Sequence, residues 1–308
     1  MSELNPPPLL RNGVAIDATY AEAFDMRATA LVITAPSRHW ARIAATSMTG
    51  FATSVIACGV EAGIDAELAP EVTPDGRPGV RVLVFAGSTA ELQKQLINRV
   101  GQCVLTSPGS ACYAGLVGTE TLKLGDGLRY FADGWQISKR LPDRHIWRLP
   151  VMDGEFVCDG TTGLVKTAVG GGNLILMGRT PAATLAAAEA AAAAVAAVAD
   201  AIAPFPGGIV RSGSKVGSKY KGLIASTNHA YCPTLRGVAP DSALGPEIAA
   251  VLELVIDGIS AASVAAAMRA GLAAVVALGA QRGACRVAAG NYGGKLGRHH
   301  FHLHELAA

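Results

Sequence analysis

The residues with the clearest chemical potential lie between Pro204 and Leu235, PFPGGIVRSGSKVGSKYKGLIASTNHAYCPTL. Four glycines, Gly207, Gly208, Gly213 and Gly217, alternate there with Ser212, Ser214 and Ser218 and with the cations Arg211, Lys215, Lys219 and Lys221. Glycine permits tight turns and close backbone approach, while serine and lysine supply hydroxyl and ammonium donors, so the segment suits an anion. It is not a Walker phosphate loop, because Gly208-Ile-Val-Arg-Ser-Gly213 is followed by Ser214-Lys215 rather than by Lys and then Ser or Thr. The same composition describes a solvated surface loop, and the residues alone leave both readings open. Cys232 is the only nucleophile candidate, and no His/Asn partner accompanies it in sequence.

A second candidate is Glu253, set in the run Val251-Leu-Glu-Leu-Val-Ile256. Strand alternation puts it on one face with Val251 and Val255. On a covered face its carboxyl would be desolvated, its pKa raised, and it could donate a hydrogen bond to a developing oxyanion; on an open face it would simply be solvated. Toward the C-terminus, Ala289-Gly-Asn-Tyr-Gly-Gly-Lys-Leu-Gly297 forms a second Gly-rich polar loop whose Asn291 and Lys295 are donors. His300, His302 and His304 fall on one face of an expected strand and could bind a metal, but no acidic or Cys ligand joins them locally, so no metal site is expected.

These residues need a scaffold, and the sequence offers a repeated one. An apolar run, a turn, a Ser or Thr, a helical stretch and a second apolar run recur four times. The copies begin at Leu31-Val-Ile, Val82-Leu-Val-Phe, Leu174-Ile-Leu-Met and Leu252-Glu-Leu-Val-Ile, and they close on Ser54-Val-Ile-Ala, Cys103-Val-Leu, Gly208-Ile-Val and Cys285-Arg-Val. Ser37, Thr89, Thr180 and Ser260 are placed to cap the four helices, with Pro181 at the first helical position of the third. Each pair of copies makes a βαββαβ unit, so the fold class is α+β, two tandem ferredoxin-like lobes spanning 1–150 and 151–308. Between the lobes, Leu128 to Phe131, His145 to Val151 and Glu155 to Cys158 look like extra hairpin strands. Thr73-Pro-Asp-Gly-Arg-Pro-Gly79 is a turn, and residues 1–10 are a Pro-rich lead-in.

Composition narrows the class further. Half of the 308 residues are apolar, 16% are charged and 5% aromatic, and the net charge is +2, so nucleic-acid and membrane binding have no support. The Ala182 to Ala203 run is mostly alanine and carries Glu189 and Asp200, which fits a packed helix rather than a membrane span. Six scattered cysteines without a CxxC pair, and no signal-peptide pattern, point to reduced thiols in a cytoplasmic protein.

From Asn12 to Leu303 the chain resembles the formylmethanofuran:tetrahydromethanopterin formyltransferase family. The resemblance is carried by Thr49-GFATSVIACGVEAGI-Asp65, Thr73-PDGRP-Gly79, Pro204-FPGGIVRSGSKVGS-Lys219, Ala225-STNHAYCP-Thr234 and Ala289-GNYGGKL-Gly297. It implies formyl transfer between the amine of methanofuran and N5 of tetrahydromethanopterin, the two co-substrates, with no permanently bound cofactor, in a homotetramer. It also implies substrate contacts in the matched motifs, at Thr53, Ser54, Gly207, Gly208, Ser212, Ser214, Lys215, Ser218, Lys219, Thr227, Asn228, Tyr231, Asn291 and Lys295, and a catalytic role for Glu253. The weakly charged helices and Pro-rich N-terminus look more like the methylotroph branch, in which the transferase is a subunit of a formyltransferase/hydrolase complex running toward formate. The competing class is a non-catalytic ferredoxin-like module that binds an anionic metabolite or pterin and serves in assembly.

Overall fold

A computed structural model describes residues 6–213 and 215–308. In chain order its strands and helices are β1 (Leu9–Arg11), β2 (Val14–Ile16), β3 (Tyr20–Thr34), α1 (Arg38–Thr49), α2 (Val55–Cys58), β4 (Glu61–Leu68), β5 (Gly79–Ala86) and α3 (Thr89–Arg99). Next come β6 (Ala111–Ala114), β7 (Thr121–Lys123), α4 (Gly125–Leu128), β8 (Ile137–Arg140), β9 (His145–Val151), β10 (Gly154–Asp159), β11 (Thr161–Gly163) and β12 (Val165–Gly178). The chain closes with α5 (Pro181–Ala196), β13 (Ala201–Ile202), β14 (Lys215–Val216), β15 (Ala225–Ser226), β16 (Ala250–Gly258), α6 (Ala261–Leu278), β17 (Arg286–Ala288), β18 (His299–His302) and α7 (Leu303–Leu306). This is a mixed α/β fold. Two compact units divide it, one of residues 26–168 and one of residues 1–25 with 169–308. The division differs from the expected 1–150 and 151–308, and strand pairing explains why. β2 is held by β17 through Ala15↔Arg286, while β10 is held by β6 and β9.

In the 26–168 unit the strand order is β4-β5-β3-β6, all antiparallel, extended by β10 parallel to β6 and then by β9 and β8. Helices α1 and α3 bury Ala41, Ala44, Met48, Leu92 and Leu96 against Leu31, Ile33, Val82 and Val84. In the other unit the order is β13-β16-β12-β17, again antiparallel, extended by β2 parallel to β17 and then by β1. There α5 and α6 cover Leu174, Leu176, Leu254 and Ile256 with Ala187, Ala191, Val264, Met268 and Leu272. Alanine on α5 and Gly271 on α6 let the helices approach closely: a Cβ added at Gly271 would sit 3.1 Å from Leu174.

The four expected helices exist and are capped from their own sequence. Ser37 accepts from the Trp40 N–H, Thr180 from the Ala183 N–H, and Ser260 and Ser263 form a reciprocal capping box. In the second copy the cap is Ser88, accepting from the Glu91 N–H, rather than Thr89, which is the first helical residue. The closing runs differ more. Ser54 caps the short helix α2, which ends at Gly59, so the strand is β4. Residues 100–104 continue as a helical turn, and the strand waits until β6. Leu128 to Phe131 is helical as well. In the third copy the paired strand is β13, and Val210 makes only an isolated bridge to Glu253. His304 lies in α7, off the His299–His302 strand, with its Nε2 against the Ile16 carbonyl at 3.0 Å; among the described residues no metal-binding cluster forms.

One interaction organises the C-terminal Gly-rich loop. Glu22, buried on β3, accepts four backbone hydrogen bonds, from Tyr292 (2.6 Å), Gly294 (2.8 Å), Leu296 (2.6 Å) and Gly297 (2.7 Å). Burial opposes its ionisation, but the four N–H donors prevail and hold its pKa down at about 2. At Gly297 an added Cβ would collide with the Ala23 carbonyl, so only glycine closes this loop. A carboxyl whose folded pKa is depressed contributes stability above its unfolded pKa and loses it as pH falls through the folded value. Glu22 therefore contributes on the order of 3 kcal/mol above pH 4.5 that disappears toward pH 2. Glu22→Gln, which turns an amide N–H₂ toward N–H donors, is expected to lower the urea midpoint at pH 7 and to narrow the gap from wild type at pH 3. An unchanged midpoint at pH 7 would show that the loop does not depend on Glu22.

Candidate active site

On β16 alternation splits the side chains as the sequence suggests. Leu252, Leu254 and Ile256 face the helices, while Val251 joins Ile175, Met177, Leu244, Ile248 and Ala288 on the opposite face. Glu253 shares that second face, opposite Ile175 in register, and it is covered. The cover is the Gly/Ser/Lys segment itself, locked to β16 by two backbone bonds, Val210 N–H to the Glu253 carbonyl (2.7 Å) and Glu253 N–H to the Val210 carbonyl (3.0 Å). Past Val210, residues Arg211, Ser212 and Gly213 run beside the carboxyl, and Asn228, Tyr231 and Cys232 complete a cavity of about 30 Å³.

Glu253 is 9% exposed, and among the described residues its carboxyl makes no side-chain hydrogen bond. Desolvation by burial raises its pKa to about 7, and burial likewise pushes the Tyr231 phenol up. With a pKa of about 7 the carboxyl is half protonated at neutrality, and among the described residues no side chain engages it. Gly213 has φ +60°, and a Cβ there would sit 2.9 Å from the Asn228 Cβ and 3.7 Å from Glu253 Oε2, so the glycine keeps the cavity open.

The other sequence candidates separate. Ser212, Asn228 and Tyr231 line the Glu253 cavity; Lys215, Ser218, Lys219 and Thr227 line a second cavity of about 370 Å³ on the same segment. Ser214 lies outside the described residues. Gly207 and Gly208 form a helical turn at positive φ, with Gly208 against Ala192 and Ala203, and line neither cavity. Asn291 and Lys295 ride on the loop held by Glu22 and also line neither, Asn291 Oδ1 accepting from the Gly293 N–H. Thr53 and Ser54 belong to the 26–168 unit, where Ser54 caps α2 and Thr53 Oγ1 lies 3.8 Å from Cys58 Sγ. Cys232 lines the Glu253 cavity, but its thiol meets the Asn228 carbonyl at 3.5 Å and the Thr227 hydroxyl at 3.9 Å, neither of them a general base. Sequence reasoning missed His229, which meets Lys215, Asp241, which meets His229, and Glu22, whose partners lie about 270 residues away.

Two family profiles cover most of the chain: "Formylmethanofuran-tetrahydromethanopterin formyltransferase" over residues 9–151 and "FTR, proximal lobe" over residues 154–306. Among curated relatives, one component of the formyltransferase/hydrolase complex of Methylorubrum extorquens is 58% identical over 96% of this chain and 96% of its own length. The formylmethanofuran–tetrahydromethanopterin formyltransferase of Methylococcus capsulatus is 59% identical over 97% of this chain and 100% of its own length. Among solved structures, a polypeptide of the M. extorquens formyltransferase/hydrolase complex, crystallised with methylofuran, matches with a TM-score of 0.95 at 56% identity, covering 98% of this chain and 99% of that one. The formyltransferase of Methanosarcina barkeri matches with a TM-score of 0.91 at 43% identity, covering 97% and 100%.

The raised pKa has a stability counterpart of opposite sign to that of Glu22. A carboxyl whose folded pKa lies above its unfolded value contributes fully below the unfolded value, and that contribution is lost as pH rises through the folded one. For Glu253 the window runs from 4.5 to about 7 and the span is on the order of 3 kcal/mol. Glu253→Gln is expected to gain on wild type across that window in urea denaturation. A constant difference between the two from pH 4.5 to 8 would mean that the carboxyl is not desolvated.

Proposed function

The chain belongs to the formylmethanofuran–tetrahydromethanopterin formyltransferase family, and from that premise we propose that it moves a formyl group between the amine of a methanofuran-type carrier and N5 of tetrahydromethanopterin. The observation that carries the chemistry is the desolvated Glu253 carboxyl, without a side-chain hydrogen bond among the described residues, beside a cavity of about 30 Å³. A cavity needs about 10–15 Å³ to hold one water, so this one takes a group of formyl size and little more. The acceptor nitrogen attacks the formyl carbon, its lone pair forming the new C–N bond while the carbonyl pair moves onto oxygen. Protonated Glu253 donates a hydrogen bond to that oxyanion; Asn228 and Tyr231 offer further donors on the cavity wall. The intermediate collapses by breaking the bond to the donor nitrogen, and the proton released by the attacking nitrogen is returned to the leaving one. Alignment of amine and formyl carbon supplies much of the remaining acceleration. No step requires a bound metal or prosthetic group.

Lys215 and Lys219, in the larger cavity, would receive an anionic part of one substrate. Thr53, Ser54, Gly207, Gly208, Asn291 and Lys295 stand as further substrate contacts by their place in the family's motifs. We read the two tandem units, expected at 1–150 and 151–308 and divided in the fold as 26–168 and 1–25 with 169–308, as ferredoxin-like lobes; the support is the shared order in which the strand leading into each unit's first helix lies second, flanked by the fourth and third. Six free thiols fit a reducing compartment such as the cytoplasm. Assembly is read as a homotetramer able to join hydrolase subunits, because the M. extorquens relative is part of such a complex.

The test is the absorbance change on forming formyl-tetrahydromethanopterin from purified protein and both carriers. An assembly module without catalysis would give none. Glu253→Ala is expected to lose roughly 10²–10³ in kcat, the worth of an oxyanion donor, with KM little changed, while Glu253→Gln, which keeps a donor, retains far more. Wild-type kcat should fall as pH rises through about 7, where the carboxyl loses its proton, and the Gln variant should show no such fall. Equal, near-wild-type kcat in both variants would remove Glu253 from the mechanism.

A further inference from the structure

The larger cavity contains a cation that is fixed in place. Lys215 Nζ donates to His229 Nδ1 at 3.2 Å, and on the far side of the ring His229 Nε2–H donates to the Asp241 carboxylate at 2.8 and 2.9 Å. An ammonium carries only donors, so Nδ1 must present its lone pair, and the proton sits on Nε2, the tautomer that Asp241 selects. A lysine on the two-residue strand β14 would otherwise sample many rotamers about its four-carbon stem. The histidine removes that freedom and holds the ammonium at the cavity wall.

The neighbouring donors are already committed. Thr227 Oγ1 donates to the Ser212 carbonyl at 2.8 Å and Ser226 Oγ to the Gly217 carbonyl at 2.8 Å, which leaves Lys215, Lys219, the Ser218 hydroxyl and the Tyr220 phenol for a ligand. The remaining wall is largely apolar, from Leu235, Val238, Ala239 and Pro240. Such a cavity takes a carboxylate carried on an apolar stem. It also shares one turn with the reaction cavity, since Thr227 and His229 line the larger space while Asn228 and Tyr231 line the smaller.

We propose that His229, oriented by Asp241, is a positioning residue that fixes Lys215 to receive the carboxylate of a substrate's tail, making the larger cavity the specificity pocket of the transferase. The identity of the substrate rests on the formyl-transfer reading; the binding claim does not. Isothermal titration with two probes separates them: furfurylamine bearing a carboxylate-terminated chain, and the same amine ending in a neutral amide. Titration of tetrahydromethanopterin in parallel tells which substrate's anion fills the pocket.

Wild type is expected to prefer an anionic ligand about tenfold, the worth of one charge-assisted contact. His229→Ala should remove most of that preference while leaving the amide probe's affinity unchanged. Because His229 acts through Lys215, the Lys215→Ala/His229→Ala double variant should bind no worse than Lys215→Ala alone. His229→Gln, which retains an acceptor for the lysine, should recover part of the loss. Asp241→Asn should lose less than His229→Ala, because the Asp241 side chain is 58% exposed and serves to orient the ring. In turnover, the His229 effect should fall on KM and spare kcat. Thermal melts identify any variant that fails to fold, and Gln and Asn variants then carry the test. Additive losses at Lys215 and His229, equal losses for both furan probes with no pterin response, or a wild type indifferent to the charge of either ligand would overturn the proposal. Failure of turnover alone, with these binding patterns intact, would instead overturn the formyl-transfer reading.

Discussion

The site depends on a single two-way backbone contact, the pair of hydrogen bonds between Val210 and Glu253. β16 is paired with β12 along one edge, and its other edge is met by β13 only at Asp257 and Gly258. Val210 returns to that edge four residues before Asp257, at Glu253, and the return makes Arg211, Ser212 and Gly213 cross the sheet face on which Glu253 points. Without it, the carboxyl would stand on an open sheet face in water, with an ordinary pKa and no reason to stay protonated. The burial and raised pKa of Glu253 are therefore a consequence of where a loop is anchored, and the anchor is made by backbone groups that almost any residue could supply.

That origin decides what could be read in the sequence. The four helix starts were legible because a cap is a contact between residues three apart, and the hydroxyl, the strand before it and the helix after it all lie within one short window. The closing strands were not legible: Ser54-Val-Ile-Ala has strand composition, yet Ser54 accepts from the Ile56 N–H and Gly59 adopts φ +77°, while the true strand β4 is chosen by its pairing with β5. Alternation placed Glu253 on the correct face, but nothing local says that a segment forty residues upstream covers it. His229 and Asp241, twelve residues apart in irregular chain, and Glu22, about 270 residues from the N–H groups it binds, follow no period at all.

The Gly-rich segments also divide by what they bind. The loop over residues 290–297 turns its N–H groups inward onto Glu22, so its glycines serve closure, and Asn291 and Lys295 are left exposed on its outer side. The segment after Val210 has no such internal anion. Its cations, Lys215 and Lys219, are instead arranged around empty volume, with Lys215 held from behind by a histidine. Composition alone cannot separate a loop that folds around its own carboxylate from one that awaits someone else's, since both need glycine for the backbone and polar groups for the contact.

The two units let the same argument be made position by position. Glu253 lies seven residues before the cap Ser260 and pairs with Ile175, five residues before the cap Thr180. Counting back equally from the caps of the other unit, seven from Ser88 and five from Ser37, reaches Arg81 and Val32, and these two are likewise paired with each other. At that equivalent position Arg81 donates to Asp65 at 2.5 Å, the two side chains being 17% and 2% exposed. A buried charge is tolerated when a partner accompanies it, and removing one member of such a pair is strongly destabilising. The fold thus places an ionisable side chain at the same point of the sheet in both units, and among the described residues only Arg81 has a charged partner there. In the 26–168 unit the charge of Arg81 is met by that of Asp65. In the other unit Glu253 has no charged partner among the described residues, and burial alone raises its pKa to about 7, so that its ionisation above neutral pH costs stability that the paired Arg81 does not forgo.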